Sequence, residues 1–150
     1  MPTERQALLE KWLEATMATF PRQTLYFLRS EKDRFRNPMG HILREGLAIL
    51  LEEILGEMDP SKVQSALESI VRLRAVQDFT PRQAVGFIFL LREILAEQSA
   101  GGCSPAIQKR IDELALRAFD IFMKCREEIG EIKAREAQRK VYVLERMAQT

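Results

Sequence analysis

A single histidine, His41, and two cysteines, Cys103 and Cys125, are all that this 150-residue chain holds of those two residue types. That scarcity removes several chemistries at once. A structural zinc centre takes about four Cys and His ligands at short spacings. A carboxylate iron site in a helical bundle takes a Glu-x-x-His motif from each of two helices. A hydrolytic triad needs a nucleophile, a base and an orienting acid within reach of one another, and neither cysteine stands in a nucleophile motif. Gly101-Gly102 is followed by Cys103 rather than by Lys and Ser/Thr, so it is no phosphate loop. No metal and no cofactor is expected, and the residues point away from an enzyme.

Charge of one sign is missing too. The 23 basic and 22 acidic residues leave a net charge of +1, and they interleave, as from Arg29 to Arg36, in the manner of solvated helix faces. No nucleic-acid partner is expected. No apolar run approaches the roughly 20 residues of a membrane span; Leu47 to Leu51 and Val85 to Leu91 are short. The opening Met1-Pro2-Thr3-Glu4-Arg5 lacks the pattern of a secretory signal. A cytoplasmic protein without direct membrane insertion and without a disulfide is the expectation.

What is present is helical periodicity. Thr3 caps a first helix with the stripe Leu8, Leu9, Trp12, Leu13, Thr16 and Phe20, ended by Pro21. A second helix carries Leu25, Phe27, Leu28 and Phe35. Asn37-Pro38 opens a third, apolar nearly all round from Ile42 to Leu55, which suits the middle of a bundle. Asp59-Pro60 and Thr80-Pro81 start the fourth and fifth, with proline at the first helical position. Gly101-Gly102 stops the fifth and Ser104-Pro105 opens the last. There Ile107, Ile111, Leu114, Ala118, Ile121, Cys125, Ile129 and Ile132 form a coiled-coil-like seam. At ~1.5 Å per residue that helix outruns the body, so the turns from about 133 to 150 should project. The fold class is all-α: one domain over residues 1–150, a bundle of about six helices with a long C-terminal helix.

Three places merit weighing for function. His41, one turn into the third helix, reads most simply as a half-buried histidine bonded to a carboxylate or carbonyl; a haem ligand is the sharper alternative. Cys125 on the inner seam reads as a small core residue. The segment from Arg72 to Phe87, RLRAVQDFTPRQAVGF, gathers Arg72, Arg74, Gln77, Asp78, Arg82 and Gln83 at a helix–helix corner among large apolar residues. The plainer reading is that Asp78 and Arg82 cap the two helix ends. The functional one is a polar cluster for an anionic group, with Arg74 and Gln77 on one helix face.

That corner resembles the N-terminal domain family of the RsbRD-type RsbT co-antagonists. So do the stretch from Asp33 to Gly40, DRFRNPMG, and that from Arg110 to Phe122, RIDELALRAFDIF, followed by Cys125-Arg126-Glu127. The resemblance implies a globin-like but haem-free sensor domain of bacterial stress signalling, which in multidomain relatives precedes a STAS output domain within the stressosome. The third helix would be the distal one and carry His41. The fourth would be the proximal one, and between Pro60 and Phe79 it has neither histidine nor cysteine to anchor a haem. This chain ends at Thr150 without an output domain, so a signal is expected to leave through self-association or a partner protein of a signalling or membrane complex.

Two functions follow as expectations. One is a regulatory module, homodimeric through Ile129, Ile132, Val141, Leu144 and Met147 of the last helix. The other is a small-molecule binder for an apolar or anionic ligand such as a lipid. Its pocket would lie between helices three to five, walled by Phe87, Phe89, Leu47 and Val76, with Arg74, Gln77 or His41 at the polar end.

Overall fold

Local capping chemistry marks where each helix begins, and the computed structural model, which describes residues 3–98 and 103–149, shows the caps closed. The elements are α1 (Glu4–Met17), α2 (Arg22–Ser30), α3 (Pro38–Leu55), α4 (Pro60–Val76), α5 (Pro81–Val85), α6 (Phe87–Gln98) and α7 (Pro105–Ala148). No strand occurs among the described residues. Thr3 with Gln6 and Thr80 with Gln83 form reciprocal capping boxes. The Asn37 side chain accepts from the Gly40 amide, Asp59 from Ser61 and Ser104 from Ile107. The expected stop at Gly101-Gly102 lies outside the described residues.

Two elements differ from the sequence expectation. Phe35 is not part of α2, which ends at Ser30. The chain instead turns through residues 34–36, where Asp33 accepts from the Phe35 amide at 2.9 Å, and the Phe35 ring is 82% exposed. A local Asx-type bond outcompetes the helical one there. The fifth helix is two segments, α5 and α6, parted at Gly86. The Phe87 carbonyl beyond the break accepts a bond from the Trp12 indole Nε1 at 2.7 Å.

The core is one cluster drawn from every helix. α3 packs against α1, α2, α4 and α7; α4 also packs against α7, and α1 against α6. Gly46 is what lets α3 and α4 approach: a Cβ there would lie 2.6 Å from Ile70 Cδ1, and Ile70 is fully buried. Gly46→Val is therefore expected to lower stability by about 2 kcal/mol through overpacking, read as a lower urea midpoint with the slope unchanged.

α7 has two halves. Ile111, Leu114, Ala115, Ala118, Ile121, Phe122 and Cys125 pack into the body. From Gly130 to Gln149 every residue is exposed, a length of about 30 Å at the helical rise. Where α3 ends, Arg110 of α7 donates to the Ile54 and Gly56 carbonyls at 2.6 and 2.7 Å, satisfying acceptors that the helix itself leaves free. The loop onward is held by buried Glu53, which accepts from the Asp59 amide at 2.8 Å.

Candidate functional site: the Arg74 corner and the uncovered helix

Arg74 lies in the last turn of α4 with its side chain fully buried. Its guanidinium carbon lies 4.6 Å from the centroid of Phe79, 5.2 Å from Phe87 and 5.3 Å from Phe20. Nη2 donates to the Gln83 carbonyl and, at 3.0 Å, to the Thr19 hydroxyl. Nε and Nη1 are buried without a hydrogen-bond partner among the described residues. No ion pair to Arg74 occurs among those residues. Three ring faces attract the cation, yet burial still pushes its pKa down to about 10. At neutral pH it remains charged, a cation held by rings, one carbonyl and one hydroxyl where a carboxylate would be usual. The guanidinium thereby ties the end of α1, the end of α4 and the start of α5 together.

The capping at this corner is not the one expected. Thr80 and Gln83 close the start of α5. Asp78 supplies no side-chain cap; it turns the chain in the left-handed region at φ 58°, which aspartate tolerates better than most residues.

The ligand-site residues read from the sequence do not share one cavity. Gln77 is exposed at the C-cap of α4. Phe87 is fully buried and stacks on Trp12 at 6.3 Å. His41 is half-buried, its Nε2 3.2 Å from Glu45 Oε1 one turn on. It lines an open groove between α1, α2 and α3 with Leu13, Met17, Leu28, Arg29 and Arg44; that groove contains none of Arg74, Gln77 and Phe87. Of the expected pocket walls, Leu47 and Phe87 are fully buried while Phe89 and Val76 face outward. Phe89 lines a separate apolar groove with Pro81, Val85, Gly86, Leu90 and Phe119. Among the described residues no cluster of three His, Cys, Asp or Glu is placed to hold a metal ion. Burial raises the pKa of the Cys125 thiol on the inner seam; Cys103 is half-buried, 3.5 Å from the Arg92 carbonyl oxygen.

The interface residues fall on two faces. At about 100° per residue, Ile129, Ile132 and Met147 continue the line of Ile111, Ala118 and Cys125. Val141 and Leu144 lie on another line, which passes through Leu116 and Met123 nearer the body. All of these except half-buried Ile129 and the buried seam residues are exposed. Sequence reasoning had joined the two lines into one seam; the heptad spacing of the second was there to be counted. It also missed Trp12, Thr19, Phe20 and Phe79 as partners across the corner, for which no local pattern exists.

The chain is thus an all-α domain with a closed core and one long, largely uncovered helix. The family model of the RsbT co-antagonist protein rsbRD N-terminal domain matches residues 6–137. The chain belongs to that family, one of signalling and regulatory domains. No curated protein and no solved structure matches it. Among the described residues no helix is long and apolar enough to cross a membrane.

Proposed function

We propose that this chain is a non-catalytic, globin-like sensor or regulatory module of the cytoplasm, which needs no cofactor and works as a homodimer through the uncovered part of α7. The observation that carries this is the exposure of Val141, Leu144 and Met147 on one arc of two successive turns of the uncovered helix. Large apolar side chains gathered in this way mark an interaction surface. A signal acting on the body reaches that stretch through the buried half of the same helix. The separation of His41, Arg74, Gln77 and Phe87, which do not share one cavity, weighs against the small-molecule pocket expected between α3, α4 and the α5–α6 pair.

The test is multi-angle light scattering of the wild type beside the double variant Leu144→Glu, Met147→Glu. A dimeric wild type and a monomeric variant with an unchanged thermal midpoint are expected. A dimer of undiminished stability in the variant would retire this interface.

A further inference from the structure

Leu116, Met123, Gly130, Ala137 and Leu144 recur every seven residues along α7, and Ala134, Val141 and Ala148 stand at the alternate heptad positions between and after them. All of these are exposed. A seven-residue repeat drifts by only about 20° per repeat on a straight helix, so these residues form a stripe nearly along the axis. It lies roughly 120° round the helix from the buried seam, and it continues without interruption from the body onto the uncovered half.

We propose that the stripe from Gly130 to Ala148 is the seam of a parallel, in-register coiled coil with α7 of a second copy of this chain. This rests on the self-association proposed above and adds its face, orientation and register. Charge complementarity selects the occupant. Along the seam the flanking positions on one side are Lys133, Lys140 and Met147; on the other side they are Glu131, Gln138 and Glu145. In a parallel pair each flanking residue of the first row meets the second row five positions on in the partner helix. Lys133 then faces Gln138 and Lys140 faces Glu145, with no like charges opposed. Antiparallel helices would set the row of Lys133 and Lys140 against itself and the row of Glu131 and Glu145 against itself.

Packing agrees with that choice. Val141 and Leu144 take the two core positions of one heptad in the β-branched and γ-branched order that favours two parallel strands. Gly130, Ala134 and Ala137 let the backbones approach, and a Cβ at Gly130 would meet nothing of its own chain within 4 Å. Nearer the body the same stripe carries Asp120 and Glu127, which in register would oppose their own copies. The pairing therefore ends near Gly130 and the two bodies part there.

Single cysteines test the face and the direction. In a Cys103→Ser background, Ala137→Cys and Leu144→Cys are expected to form a disulfide-linked dimer about tenfold faster than Val143→Cys or Arg139→Cys, because the local concentration of the partner thiol differs by face. Light scattering of the same reduced samples separates the possible failures. A monomer throughout, with no selective cross-link, would sink self-association and this seam together. A dimer in which Val143→Cys reacts fastest would leave self-association standing and overturn the face. A dimer in which Leu144→Cys couples to Gly130→Cys in mixed samples but not to itself would overturn the parallel direction.

Discussion

Arg74→Ala is expected to lower unfolding stability by about 3 kcal/mol, and Arg74→Met to return most of that loss. Alanine leaves a cavity among Phe20, Phe79 and Phe87 and strips the Gln83 carbonyl of its donor. Methionine fills the space and removes the cost of a buried cation, which offsets the lost hydrogen bonds and ring contacts. Urea unfolding of the three proteins gives the ordering. An alanine variant as stable as the methionine one would mean that the volume of the side chain is not what holds the corner.

The same residue sets a pH dependence. Folding lowers the Arg74 pKa to about 10, so the unfolded chain binds this proton more tightly than the folded one. Below pH 10 both states are charged and the burial cost is fully present. As pH rises above 10 the folded protein loses the proton first, and its stability rises relative to Arg74→Met until the unfolded group also titrates. The difference between the two proteins isolates the contribution of this one group.

Trp12→Ala is expected to cost about 4 kcal/mol and Trp12→Phe about 2 kcal/mol. The indole is fully buried, stacks on Phe87 and donates to the Phe87 carbonyl. Phenylalanine keeps most of the packing but leaves that carbonyl unsatisfied at the break between α5 and α6. Since Trp12 is the sole tryptophan, far-UV circular dichroism rather than fluorescence follows the unfolding. Against a typical stability of about 5–15 kcal/mol, the alanine variant loses a large share of the total. Equal costs for the two variants would show the hydrogen bond to be the whole contribution.

The helix starts were legible because a cap is local: Thr3, Asn37, Asp59, Thr80 and Ser104 act within three residues of themselves, and a proline behind four of them reinforces the signal. Phe35 was not legible, because its apolar character suited α2 while Asp33 and Asn37 were closing the turn around it; Asn37 reaches back to the Leu28 and Glu31 carbonyls. Arg74 was noticed, but its setting was not. The rings that hold it come from the turn after α1, from the loop after α4 and from α6, and only tertiary packing brings Phe20 beside Phe79. On α7 the two apolar lines share a similar repeat, and spacing alone does not say which one the body covers.

The uncovered half of α7 has a consequence for order as a function of abundance. Most helical stability in proteins comes from tertiary packing, which these turns lack, and Gly130 costs about 1 kcal/mol at the junction. The buried half supplies the nucleus, so the exposed turns stay wound near the body and fray toward the end. A second copy that covers the stripe would stop the fraying, and winding and assembly then become one equilibrium governed by mass action. Amide exchange beyond Ala134 should slow as the protein is concentrated while exchange in α3 and α4 stays constant, so the chain would register its own concentration as helical order in one segment.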